Sequence, residues 1–65
     1  MIQEAVQILV EGRSLNFEES SAAMTQIMEG NTTPAQFGAF VTALRLKGET
    51  VDEVAGMATV MREKS

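Results

Sequence analysis

Three segments with the chemistry of a helix start divide this chain of 65 residues. Each begins with a side chain that can accept a hydrogen bond from the first turn of a helix, and three residues later a Glu or Gln can bond back to it. The segments are Asn16-Phe17-Glu18-Glu19, Thr33-Pro34-Ala35-Gln36 and Thr50-Val51-Asp52-Glu53. A glycine lies shortly before each one, and glycine ends many helices because it accepts left-handed backbone angles. These signals constrain the chain to a series of short helices with tight connections.

The spacing of apolar residues supports this division. Ile2, Ala5, Val6 and Leu9 recur at spacings of three and four, as on one face of a helix. For the second helix we predict an inward face of Phe17, Ser20, Ser21, Met24, Ile27 and Met28. No stretch alternates between apolar and polar residues as a half-buried strand would. We predict an all-α fold, a compact bundle of four short helices at about residues 2–11, 17–29, 34–47 and 51–63.

Composition limits what such a bundle can do. Nine acidic residues outweigh five basic ones, giving a net charge of −4, and no basic cluster is present. We therefore predict that the chain binds no nucleic acid. Because it has no long apolar run, we also predict no contact with a membrane. Arg45 and Lys47 fall in the last turn of the third predicted helix, where cations complement the helix dipole. The start at Met1 lacks a signal-peptide pattern, which indicates a cytoplasmic protein.

Side chains suited to catalysis are scarce. The sequence contains no histidine and no cysteine, so the commonest general base, the thiol nucleophile and most transition-metal ligands are missing. The adjacent carboxylates Glu18 with Glu19, and Asp52 with Glu53, fall in first helical turns, where negative charge is stabilising in any case. We predict no catalytic, cofactor-binding or metal-binding residue in this chain.

The third and fourth predicted helices carry more apolar surface than one short bundle needs. The third has a large stripe, Phe37, Phe40, Val41 and Leu44, and a second stripe of small residues that ends in Leu46. The fourth has Val51, Val54, Ala55 and Ala58 on the face predicted to be inward. We predict that the second stripe, with parts of the first and fourth helices, contacts another copy or another domain. The residues predicted for this interface are Ala35, Ala39, Ala43, Leu46, Gly56, Met57 and Val60. The competing interpretation is that both stripes meet neighbours within the same chain.

Several stretches together resemble a known family. They are Leu9 to Leu15, Ile27 to Gly30, Thr33 to Gln36, Ala43 to Thr50 and Val51 to Met61. The set resembles the helical domain that opens anthranilate phosphoribosyltransferases, and the run from Leu44 to Thr50 is its most specific part. Pyrimidine nucleoside phosphorylases begin with a similar domain, but Lys47-Gly48-Glu49-Thr50 looks more like the transferase.

The resemblance implies that residues 1–65 are an N-terminal helical domain that caps a substrate cleft and joins two copies into a homodimer. It implies a full-length enzyme of tryptophan biosynthesis that transfers phosphoribosyl from phosphoribosyl pyrophosphate to anthranilate, with magnesium. In that family the pyrophosphate loop and the acidic metal ligands lie in a separate α/β catalytic domain, which is absent here. No catalytic residue is therefore carried over to this chain.

Two other functions fit a small acidic helical bundle. In acyl carrier proteins a serine bears the prosthetic arm, and Ser14 is the only comparable residue, although it lacks an acidic neighbour. A stand-alone interaction module could instead bind a partner helix through adaptable methionine side chains. The methionines at helical spacing are Met24, Met28, Met57 and Met61.

Overall fold

The computed structural model describes residues 1–65 as four α-helices and no strand. They are α1 (Ile2–Val10), α2 (Phe17–Met28), α3 (Pro34–Lys47) and α4 (Val51–Lys64). The prediction of an all-α bundle is confirmed, and each predicted helix boundary lies within one residue of the observed one.

The three predicted helix starts form as capping boxes. The side chains of Asn16, Thr33 and Thr50 accept hydrogen bonds from the backbone N–H groups three residues later, at 2.7, 3.1 and 3.1 Å. In each case the Glu or Gln at that position bonds back to the backbone of the cap residue. These bonds satisfy N–H groups that the first turn of a helix leaves without a partner.

The helices associate as two parallel pairs, α1 with α3 and α2 with α4. Near the start of the second pair Ser21 Oγ donates to the carbonyl oxygen of Gly56 at 3.2 Å, and at the other end Lys64 lies 3.4 Å from Glu29. The two pairs meet mainly through α1 and α2, where the backbone N–H of Ile2 donates to Gln26 at 2.8 Å. The chain thus runs up, down, up and down through the bundle.

The core lies mainly between α1 and α3. Its buried residues are Ile2, Ala5, Leu9, Leu15, Ala23, Phe40, Ala43 and Leu44. Phe40 is the largest of them, and Leu15 reaches the core from the loop between α1 and α2. Such a small core leaves much of the apolar surface of α3 and α4 uncovered.

The inward face predicted for α2 is partly wrong. Ser20 is buried as predicted, but Ala23 is also buried, while Phe17 and Met28 are about half exposed. The reason is that α2 packs very closely on α4, and only small residues fit between them. Ser20 and Ser21 fill this contact and donate to backbone carbonyl groups of α4.

The two faces of α4 are the reverse of those predicted. Val51 is 85% exposed and Val54 is 50% exposed, whereas Glu53, Gly56 and Val60 are buried. The buried carboxylate of Glu53 and the close approach of α2 at Gly56 determine this orientation. Apolar valines remain at the surface because these two contacts outweigh what burying the valines would contribute.

Gly56 is the position where a single methyl group should separate α2 from α4. A Cβ there would lie 2.6 Å from the carbonyl oxygen of Phe17 and would also clash with Ser20 Oγ. We expect Gly56→Ala to lower the free energy of unfolding by about 1–3 kcal/mol, because overpacking outweighs the better helix propensity of alanine.

Gly38→Ala in α3 is the matched control, since nothing lies within 4 Å of the added Cβ. That change should raise the free energy of unfolding by up to about 1 kcal/mol. Denaturant unfolding of both variants measures the difference, and equal stabilisation at the two positions would contradict the close helix contact.

Candidate docking surface

The seven residues predicted to form an interface do not lie on one surface. Ala35, Ala39 and Leu46 are exposed along one flank of α3. Ala43 belongs to the core, although its edge lines the same flank. The prediction that Gly56, Met57 and Val60 face outward is wrong, because Gly56 and Val60 are buried and Met57 packs against the core.

The exposed members of the set line a groove between α1 and α3. One end is a depression of about 300 Å³ lined by Gln3, Val6, Ala35, Gln36 and Ala39. The other end is a depression of about 320 Å³ lined by Leu9, Val10, Gly12, Ala43, Leu46 and Lys47. We call these two depressions together the α1/α3 groove.

The α1/α3 groove has the chemistry of a protein contact. Val10 is 68% exposed and Leu46 is 84% exposed at one end of it. The alanines of α3 would let the backbone of another helix approach closely. Lys47 is the single charged residue among those that line the groove. Exposed apolar surface of this kind usually marks an interaction site.

The ammonium group of Lys47 points away from the groove and into the protein. Its Nζ donates to Glu53 Oε1 at 2.8 Å, to the carbonyl oxygen of Gly48 at 2.7 Å and to Ser14 Oγ at 3.2 Å. An ammonium group has three protons to donate, so these partners use all of its capacity. We call the contact between the two charged groups the Lys47–Glu53 clasp.

Glu53 is fully buried and fully satisfied. Beyond Lys47, its carboxylate accepts from the backbone N–H of Leu15 at 2.7 Å and of Thr50 at 2.8 Å. Burial alone would raise the pKa of Glu53, but the hydrogen bonds from Lys47, Thr50 and Leu15 outweigh it and hold the pKa below 4.5. The clasp therefore connects the α1–α2 loop to the junction between α3 and α4.

The clasp was not predicted from the sequence. Glu53 was interpreted only as a capping residue and Lys47 only as a cation at a helix end. The available signal was their separation by six residues across one tight turn. The decisive partner, the backbone of Leu15, lies 38 residues from Glu53 along the chain.

A second apolar surface lies on the outer side of α4. Val51, Val54 and Met61 are exposed there, and Ala58 is half-buried between them. A shallow depression beside α4 is lined by Glu49, Thr50, Val51, Val54 and Ala55. This α4 outer face is separate from the α1/α3 groove, since no lining residue is shared.

The residues that the two alternative functions would use do not line the α1/α3 groove. Ser14 accepts a hydrogen bond from the buried end of Lys47. None of the four methionines lines any of the three depressions. Met57 packs against the core, while Met28 and Met61 are half exposed. The structure contains no group of acidic residues that could hold a metal ion. None of its helices has the length and apolar character needed to span a membrane.

Comparison with known proteins assigns the chain to a family. The sequence model described as "Glycosyl transferase family, helical bundle domain" matches residues 3–65. The chain belongs to this family. It is also 63% identical over its whole length to the anthranilate phosphoribosyltransferase of Dehalococcoides mccartyi, and 55% identical to that of Anaeromyxobacter dehalogenans.

A third relative, the anthranilate phosphoribosyltransferase of Chloroflexus aurantiacus, is 55% identical over 98% of the chain. These matches confirm the resemblance to the helical domain of anthranilate phosphoribosyltransferases. The chain spans about 19% of the length of each of these relatives. Its own features must therefore be interpreted as those of one helical domain.

The Lys47–Glu53 clasp should make the free energy of unfolding depend on pH. The folded pKa of Glu53 is lowered from 4.5. The contribution of its charge to the free energy of unfolding is therefore complete above pH 4.5 and is lost as the pH falls through the folded pKa. We expect Glu53→Gln to lower the free energy of unfolding by about 2 kcal/mol at neutral pH, since a charged hydrogen-bond acceptor is lost.

Thermal unfolding of both proteins across this pH range provides the measurement. The difference between wild type and Glu53→Gln should shrink as the pH falls below 4.5. At neutral pH the control Glu63→Gln, on the exposed end of α4, should change the unfolding temperature little. A difference between wild type and Glu53→Gln that is independent of pH would contradict the role assigned to this carboxylate.

Proposed function

We propose that this chain is the N-terminal helical domain of an anthranilate phosphoribosyltransferase and that it acts in folding and association. The observation that carries the proposal is the α1/α3 groove, an apolar surface that remains open after the domain has folded. The family membership and the named relatives favour the transferase over the related pyrimidine nucleoside phosphorylases.

The proposed full-length protein transfers phosphoribosyl from phosphoribosyl pyrophosphate to anthranilate in tryptophan biosynthesis, in the cytoplasm. Magnesium and the reacting groups belong to the α/β catalytic domain, and this helical domain covers the cleft. The chain has no histidine or cysteine, and its buried carboxylate is occupied by Lys47 and backbone donors. Its proposed contribution to catalysis is therefore indirect.

The proposed occupant of the α1/α3 groove is the same groove of a second copy. Its surface is apolar, its small residues permit close helix packing, and the Lys47 charge is directed inward. Such a surface can be complementary to itself across a two-fold axis, as most homodimers require. The homodimer implied by the family resemblance is consistent with this assignment.

The α4 outer face is the proposed contact with the α/β catalytic domain. It is apolar, exposed and separate from the groove, so both contacts can form at the same time. A domain that uses one surface for its own copy and another for the catalytic domain would hold two catalytic domains in one assembly.

Ala39→Glu should abolish self-association. The added carboxylate would lie in the floor of the α1/α3 groove, where an unpaired charge has to be desolvated in the dimer. Ala22→Glu is the matched control, because Ala22 is an exposed alanine of α2 outside the groove. Sedimentation equilibrium of both folded variants and of wild type compares their masses.

Val54→Glu on the α4 outer face should leave the dimer intact. If Ala39→Glu forms dimers as wild type does, the groove is not the self-association surface. If Val54→Glu abolishes the dimer, the two surfaces have been assigned to the wrong partners.

We expect the chain by itself to convert no anthranilate in the presence of phosphoribosyl pyrophosphate and magnesium. The physical reason is that the groups needed to bind pyrophosphate and metal are proposed to lie in the α/β catalytic domain. Chromatographic measurement of anthranilate over time tests this, with a full-length relative as the positive control. Turnover above the uncatalysed rate would contradict the proposal that the catalytic groups lie in the α/β catalytic domain.

A further inference from the structure

Lys47 belongs to the α1/α3 groove and to the clasp at once. Its side chain lines the groove beside Leu46, Val10 and Gly12, while its ammonium group is bound to Glu53 in the interior. The side chain of Lys47 is 8% exposed, which is far below the exposure of its neighbour Leu46. Lys47, near the C-terminal end of α3, thus lines the groove while its charge is paired with a buried carboxylate.

We propose that Glu53 is a positioning residue for self-association, because it holds the Lys47 charge out of the α1/α3 groove. This inference rests on the proposed function of the groove. Glu53 itself is fully buried within the chain and cannot reach a second copy, so its effect on association must pass through Lys47.

Release of Lys47 would change the groove from apolar to charged. Without the carboxylate of Glu53, the ammonium group keeps only the neutral acceptors of Gly48 and Ser14. Its four-carbon stem can then turn toward water, and the groove that Lys47 lines together with Leu46 and Val10 is open to it. In a symmetric dimer each copy would contribute one such charge to the same contact. Desolvating unpaired charges and bringing like charges together both oppose association.

A purely structural role of Glu53 makes a different prediction from the positioning role. If Glu53 mattered only for folding, removing the lysine charge as well would not restore association among folded molecules. If Glu53 matters because it holds the charge, removing the charge should restore association. Replacement of both members of a buried ion pair by neutral residues is often tolerated.

The test measures the dimer dissociation constant of three folded proteins, namely wild type, Glu53→Gln and the double variant Lys47→Met/Glu53→Gln. We expect Glu53→Gln to raise the dissociation constant at least about tenfold, equivalent to roughly 1.4 kcal/mol. We expect the double variant to return it to within about threefold of wild type, less than 1 kcal/mol. Circular dichroism establishes that each protein is folded under the conditions of measurement.

If Glu53→Gln does not fold, Glu53→Asp takes its place, because it keeps the charge but withdraws it from Lys47 by one methylene. Weakened dimers of that variant, restored by Lys47→Met in the same background, support the proposal. Folded Glu53 variants that dimerise like wild type overturn it, and so does a double variant that stays as weak as the single one. A wild-type chain that never dimerises would instead overturn the proposed function of the groove.

Discussion

The carboxylate of Glu53 binds donors from three parts of the chain, and the arrangement of the helices depends on it. It accepts from the backbone N–H of Leu15 before α2, from that of Thr50 at the start of α4, and from the ammonium group of Lys47 at the end of α3. Lys47 connects the same parts of the chain through Ser14, Gly48 and Glu53 itself. Because a buried charge is tolerated only when it is paired and hydrogen-bonded, these three donors must converge, and α4 has to turn Glu53 inward.

This orientation of α4 explains the exposed apolar surface. With Glu53 and Gly56 turned inward, Val51 and Val54 are left on the outer side. The parallel pair α1 and α3 buries Phe40 and Leu44 but leaves the flank around Ala39 and Leu46 open. A domain of this size buries only about 60% of the surface of its unfolded chain, so much apolar surface stays exposed. The two surfaces are therefore a consequence of how the interior is satisfied.

The helix boundaries could be predicted because their causes are local. Asn16, Thr33 and Thr50 form bonds with residues three positions away, so the sequence contains both partners within four letters. The flank of α3 could be predicted for a similar reason, since its alanines recur with the period of a single helix.

The faces of α4 could not be predicted, because they depend on contacts between distant residues. The carboxylate of Glu53 accepts a hydrogen bond from Leu15, 38 residues away. The carbonyl oxygen of Gly56 accepts one from Ser21 of α2, 35 residues away. Apolar periodicity favoured the wrong face, since valine is a better signal of burial than a glutamate or a glycine. The assignment to a transferase family rested on a resemblance of sequence stretches, and no chemistry of this domain alone would have indicated that enzyme.

The proposal that most needs testing is that the folded domain associates with its own copy through the α1/α3 groove. The most direct measurement is a dilution series followed by amide chemical shifts of the isotopically labelled chain. The account predicts shifts that depend on concentration and are concentrated at Val6, Val10, Ala35, Ala39 and Leu46, with little change at Val54 or Ala22. Spectra that do not change with concentration, or changes confined to the α4 outer face, would contradict it.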